Sequence, residues 1–117
     1  VQEGILERFR RRKFYYHDFR RCARPEVEEL TRVARVMAER LNRARGPVKV
    51  LFPRRGWSEA DRESGPLYDP EGNRAFGEEL KRCLTPEIEV VEVDAHINEP
   101  LYAETAVALL EEMMGRR

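Results

Sequence analysis

Cysteine is scarce in this sequence: Cys22 and Cys83 are the only two among 117 residues. Two thiols cannot build a disulfide scaffold or a multi-cysteine zinc site, and no CxxC pair occurs, so a reducing cytoplasm is the expected compartment. Long apolar runs are missing as well. The uncharged apolar stretches cover only a few residues, against roughly 20 for a membrane-spanning helix, so no membrane is expected. Neither GxxxxGKS/T nor GxGxxG is present, which removes the named phosphate loops. The GxSxG elbow that exposes a nucleophilic serine is absent too, and with it the main argument for acyl transfer. Two histidines with scattered carboxylates do not give metal-ligand spacing, and no metal site is expected. There is no net charge to attract a polyanion, since 22 Lys/Arg balance 22 Asp/Glu. Without aromatic–basic interleaving, nucleic acid is not the expected partner.

What remains suits one soluble globular domain. Hydrophobic residues make up 41% and charged residues 38%, too apolar a mixture for a disordered chain. The neutral total hides an asymmetry. Residues 1–55 carry 16 Lys/Arg and 7 Asp/Glu, a balance of +9, and residues 56–117 carry 6 and 15, a balance of −9. Opposed halves favour packing on each other or on another copy of the chain, although solvated helix faces of opposite sign would read the same way. The chain begins with Val rather than Met, and the expectation is a piece of a longer protein.

Residues 1–12 form a basic lead-in, and residues 13–117 a single domain. Phe14, Tyr15 and Tyr16 suit a strand over 13–17. Pro25, with Glu26, Glu28 and Glu29, opens a helix, and Val27, Leu30, Val33/Ala34, Met37 and Leu41 recur along it at three- and four-residue spacing. Gly46 suits its left-handed cap and Pro47 its end. Val48, Val50, Leu51 and Phe52 predict a second strand over 48–53. Asp69-Pro70 is an N-cap with proline at the first helical position, opening a helix to about Cys83. Thr85-Pro86 breaks the chain, and Ile88, Val90, Val91 and Val93 predict a third strand over 88–94. Asn98 or Glu99 can cap a last helix, with Ala103, Ala106/Val107, Leu110 and Met113/Met114 on one face. Strands alternating with helices of this length predict an α/β domain with a small parallel sheet.

Parallel strands end at one edge, and open α/β sheets bind ligands in the crevice outside it. His17 and Asp18 follow the first strand, Arg54, Arg55, Gly56, Trp57 and Ser58 the second, and Asp94, His96 and Asn98 the third. Arg54-Arg55-Gly56-Trp57-Ser58 can hold an anion, because glycine lets main chain approach and guanidinium, hydroxyl and N–H groups suit phosphate. It is equally a turn glycine between solvated arginines. Asp94-x-His96 can be a general base with its orienter, or a histidine bonded to a loop carbonyl. Trp57 can stack on a base or pack, and Asn98 can orient a ligand or cap a helix.

Several segments carry a resemblance: Phe14-Tyr15-Tyr16-His17, AERLNRARGPVKVLFPRRGWS at 38–58, SGPLYDPEGN at 64–73, and VVEVDAHINEPLYAE at 90–104. Together they resemble the C-terminal domain of the Tm-one-like ATP-binding family. That family joins a plant tomato-mosaic-virus resistance protein to bacterial and fungal relatives. The resemblance implies a three-layer Rossmann-like fold, a two-domain protein whose first domain is missing here, often a dimer, and ATP binding, with Mg²⁺ accompanying the nucleotide. The plant member's domain binds and inhibits a viral replication protein. The family pattern falls on His17, Gly56, Ser58, Gly65, Pro66, Tyr68, Asp69, Pro70, His96, Ile97 and Asn98. The sequence departs from it at Asp18, Ser64, Leu67 and Glu99, and the Arg20–Arg24 segment does not match.

The combined expectation is a nucleotide- or phosphorylated-ligand-binding domain. Its ligand would meet His17, Arg54, Arg55, Gly56, Trp57, Ser58, Gly65 and Asn98. Two alternatives stand beside it. One is a hydrolase or lyase using His96 and Asp94 as acid and base; the other is a structural, dimerising or protein-interaction domain.

Overall fold

A computed structural model describes residues 12–17 and 20–115, without the side chains of residues 16, 17 and 20–22. The lead-in up to Arg11 and Asp18 lie outside the described residues, and so do the side chains of His17 and Cys22. The elements run β1 (Phe14–His17), β2 (Arg20–Ala23), α1 (Val27–Asn42), β3 (Lys49–Pro53), α2 (Pro70–Cys83), β4 (Glu89–Val93) and α3 (Pro100–Met113). The described residues form a mixed α/β domain with three helices and a small parallel sheet of two strands.

The first strand is the main departure from expectation. β1 pairs antiparallel with β2, Phe14 opposite Ala23 and His17 opposite Arg20. The parallel sheet holds β3 and β4 only, with Val50 opposite Val90 and Phe52 opposite Glu92. Two residues separate β1 from β2, which suits a hairpin, whereas a parallel partner needs a crossover of a dozen or more residues. The local partner satisfies β1, and His17 is therefore not at the end of a parallel strand.

Each helix starts where local chemistry satisfies its first N–H groups. α1 is entered through a capping box: Glu26 is the N-cap, and the Glu29 carboxylate accepts from the Glu26 N–H at 2.9 Å. Its C-cap is Arg43, so the helix ends three residues before Gly46 and does not use a left-handed glycine. α2 begins as read, with the Asp69 side chain accepting from the Gly72 N–H at 3.1 Å and Pro70 in the first turn. α3 is capped at Glu99, one residue beyond Asn98.

The core lies where α1 crosses α2 against one face of the sheet. Leu30, Ala34 and Ala38 of α1 meet Phe76 and Leu80 of α2, with Phe52 of β3 buried among them and Val50 and Val90 packed against the group. Ala34 and Ala38 are fully buried, and their small size lets the helices approach. Half of the expected α1 stripe is outside: Val27, Val33 and Met37 are exposed. The helix carries two apolar stripes, and spacing alone does not say which one is covered. α3 shows the same ambiguity more strongly. Its half-buried positions are Tyr102, Thr105, Ala106, Leu109 and Met113, while Ala103, Val107 and Leu110 are exposed. A helix that is apolar almost all round has no single stripe to read.

The charge asymmetry is met within the chain. Arg24 pairs with Asp61, Arg35 with Glu79, Lys49 with Glu89 and Glu112, and Arg55 with Asp94. Each pair joins a basic residue of the first half to an acidic residue of the second. Among the described residues, no helix is long and apolar enough to cross a membrane.

Candidate functional site at the sheet edge

β3 and β4 end side by side, and their ladder continues into the loops that follow. The Arg54 N–H donates to the Val93 carbonyl at 2.9 Å, Arg55 to Ala95 at 3.1 Å, and Ile97 to Gly56 at 3.1 Å. Two loops thus stay aligned beyond the last strand residue. Against them lies a cleft of about 550 Å³ lined by Arg54, Arg55, His96 and Asn98, together with Arg62, Glu63, Tyr68 and Glu99. A cleft of that size is in the range of small-molecule sites.

The three arginines of the cleft differ in their commitments. Arg55 holds Asp94 with a two-pronged contact, Nε to Oδ1 at 2.9 Å and Nη2 to Oδ2 at 3.2 Å. That guanidinium keeps the Asp94 carboxyl below its ordinary range, and the carboxylate raises Arg55 in turn. Arg62 is paired with Glu59. Arg54 is exposed and forms no ion pair among the described residues.

His96 is buried behind this surface. Its Nδ1 accepts from the Asn98 N–H at 3.1 Å, and its Nε2 faces the carbonyls of Ser58 at 2.8 Å and Asp61 at 3.1 Å. Two carbonyl partners require a donor, so the ring is the Nε2–H tautomer. The Glu99 carboxylate accepts from the His96 N–H at 2.9 Å. The imidazole therefore ties the loop after β4 to the loop after β3.

Gly56 makes the crossing. With φ +139°, it lies where a Cβ would be 1.8 Å from the Asp61 carbonyl oxygen and 2.7 Å from His96 Cδ2. Only glycine fits there.

A buried polar cluster supports the same loop from below. Asp61, 1% exposed, takes the Trp57 N–H at 3.0 Å, the Asn73 side-chain amide at 2.9 Å and the Arg24 guanidinium at 3.2 Å. Arg24 also contacts Asn73, donates to the Leu67 carbonyl at 3.3 Å and lies 5.2 Å over the Trp57 ring. Trp57 packs edge-on against Phe52 at 5.8 Å and Phe76 at 5.0 Å, so its indole belongs to the core.

Of the residues singled out in the sequence, Arg54, Arg55, His96 and Asn98 come together in the cleft. Gly56 and Trp57 shape the wall behind it. Ser58 uses its carbonyl to hold His96, and the same carbonyl accepts from the Asp61 N–H at 3.0 Å, which closes the short loop. Gly65 ends a turn through its N–H on the Arg62 carbonyl at 2.7 Å and does not line the cleft. Asp94 faces Arg55 rather than His96. Nothing in the spacing marks Arg62, Glu63 and Glu99 as ligand residues, and the same holds for Arg24, Asp61 and Asn73. Long-range packing brings these to the site, although Tyr68, Asn73 and Glu99 lie inside the segments that carry the resemblance. Among the described residues, no group of three His, Cys, Asp or Glu side chains could hold a metal ion.

Comparison with known proteins agrees with the resemblance. A profile of the UPF0261 uncharacterised protein family, C-terminal domain, matches residues 2–114. A UPF0261 protein of Brucella suis is 39% identical over 111 residues, which is 93% of this chain and 26% of that protein. One from Rhizobium meliloti is 33% identical over 109 residues, 91% of this chain and 27% of that protein. The ToMV resistance protein Tm-1(GCR237) of Solanum lycopersicum is 32% identical over 106 residues, 88% of this chain and 14% of that protein. The chain thus spans about a quarter of the length of the bacterial relatives it matches. With its segments matched from end to end, the chain belongs to the UPF0261 family through that family's C-terminal domain.

Proposed function

We propose that this domain binds a phosphorylated small molecule, of the nucleotide class, in the cleft at the C-terminal edge of the sheet. What carries the reading is Arg54, a guanidinium in no ion pair among the described residues, lining a cleft built by two parallel strand ends. Arginine suits a phosphate because its planar fork makes two parallel hydrogen bonds. Asn98 and Tyr68 supply a polar amide and an aromatic ring on the same lining. On this reading His96, Gly56 and Asp61 hold the loops in position, and the sheet is part of a Rossmann-like, three-layer arrangement. ATP is a candidate ligand, with Mg²⁺ carried on its phosphates. The test is thermal stability with inorganic phosphate, AMP, ADP and ATP, with and without Mg²⁺, for the wild type and Arg54→Ala. A ligand that binds the native state raises the melting temperature; a rise that Arg54→Ala abolishes supports the site. No rise with any of these at millimolar concentration would remove the reading.

A second reading, self-association, is favoured by two exposed apolar helix faces of opposite charge. α1 presents Val33, Val36 and Met37 between Arg32 and Arg40, and α3 presents Val107 and Leu110 beside Glu104 and Glu111. A second copy can lay its α3 on α1. Sedimentation at low and high salt tests it, since an association steered by charge weakens as salt rises. A monomer at low salt refutes it.

A further inference from the structure

The charges around the cleft narrow the ligand further, given the phosphate-binding reading above. We propose that the site selects a phosphomonoester whose other end presents hydroxyl groups, a sugar or nucleoside monophosphate, and discriminates against free triphosphates. Arg55 is held by Asp94 through both prongs of its guanidinium, and Arg62 is held by Glu59. Of the cleft's arginines, Arg54 alone forms no ion pair among the described residues. One guanidinium matches one terminal phosphate, through a single bidentate contact.

The rest of the lining is acidic. Glu63 and Glu99 share the cleft with Arg54, and both carboxylates act on Arg55 through space. With Asp94 and Glu59 included, the carboxylates at this edge outnumber the guanidiniums. A free triphosphate entering here brings several negative charges to one open cation and two carboxylates that form no ion pair among the described residues, and like charges brought together oppose binding. A monoester brings one anionic group, which Arg54 can match.

The same carboxylates fix what the other end must offer. An ionised carboxylate only accepts hydrogen bonds. Glu99 spends Oε1 on the His96 N–H, and Glu63 has no hydrogen-bond partner among the described residues. Both are exposed and can accept from a ligand in exchange for water, and a ribose or hexose supplies neighbouring hydroxyls. The Asn98 amide, on the same lining, can donate and accept.

Calorimetric titration of the chain with AMP, ribose 5-phosphate, inorganic phosphate and Mg²⁺-free ATP separates the outcomes. The expected result is that AMP and ribose 5-phosphate bind about tenfold or more tightly than inorganic phosphate and than ATP. Glu63→Gln, checked for an unchanged melting curve, should weaken AMP and strengthen ATP, because it removes the repelling charge and one acceptor. ATP binding as tightly as AMP without Mg²⁺ would overturn the selectivity and leave the cleft reading standing. Inorganic phosphate equalling AMP would overturn the hydroxyl contact. Arg54→Ala binding every ligand like the wild type, or no binding by any ligand, would overturn the cleft reading together with this one.

Discussion

A single methyl group at position 56 is enough to disturb the cleft. The position combines φ +139° with main chain 1.8 Å from where a Cβ would be, so relief requires moving the Asp61 carbonyl that His96 holds. Gly56→Ala is expected to destabilise the fold by about 2 kcal/mol or more, from strain in a conformation L residues avoid and from the displaced loop. Urea denaturation measures it; a variant with the wild-type midpoint would show that the loop is free to move. The Arg24–Asp61 pair makes a different kind of prediction, because both side chains are buried. Asp61→Ala takes from Arg24 the nearer of its two carboxylates and leaves Asp69 at 3.8 Å, a loss of up to about 3–5 kcal/mol, whereas replacing both Arg24 and Asp61 by apolar residues should restore part of it. Equal losses in the single and double variants would show that the cluster matters through shape alone. The Arg24–Asp61 pair is not legible in the sequence. Gly56 stood out through its neighbours, but Arg24, Asp61 and Asn73 are far apart in the chain and only the packing of α2 beneath the loop joins them.

Elements were legible where their signals are local. Asp69-Pro70 predicted the start of α2 because capping needs only the side chain and the N–H three residues on. Pro53 marks the end of β3 locally in the same way, whereas the convergence of Arg54, Arg55, His96 and Asn98 follows from the helical crossover that makes β3 and β4 parallel. The partner of β1 and the inward face of α3 depend on what lies opposite, which spacing does not record. Two predictions belong to the α1–α2 layer. Leu80 is 1% exposed at its centre, and Leu80→Ala should cost about 2–5 kcal/mol from lost burial and the cavity left behind. Denaturant unfolding checks it, and a loss below 1 kcal/mol would mean that the helices close the gap. Glu79 ties the same layer from outside: the hydrogen-bonding Arg82 and Arg35 guanidiniums hold its carboxyl down at about 2, against an ordinary 4.5. A depressed native value means the unfolded chain takes up the proton first. The stabilisation is then complete above about pH 4.5 and disappears as the pH falls toward 2. Glu79→Gln should lower the melting temperature at neutral pH and flatten its decline below pH 4.5. An unchanged acid profile would assign that decline to other carboxylates.

At the scale of the whole molecule, the opposed halves of the chain determine how it responds to salt. The pairs Arg35–Glu79, Lys49–Glu89 and Arg55–Asp94 all cross from the basic half to the acidic half, and each has at least one member open to solvent. Mobile ions screen such pairs over about 8 Å at physiological strength and about 3 Å at 1 M. Arg24 and Asp61 are shut away from those ions, and their attraction should persist. Raising sodium chloride from low concentration to 0.5 M, about a 4–5 Å screening length, should lower the melting temperature by a few degrees and then level off, because the buried pair and the apolar core remain. The plateau is the informative part. Asp61→Ala should lower the whole curve without changing its slope, while Glu79→Gln should reduce the slope. If salt instead raised the melting temperature throughout, repulsion within each half would outweigh attraction between them, and the crossing pairs would not be what orients one half on the other.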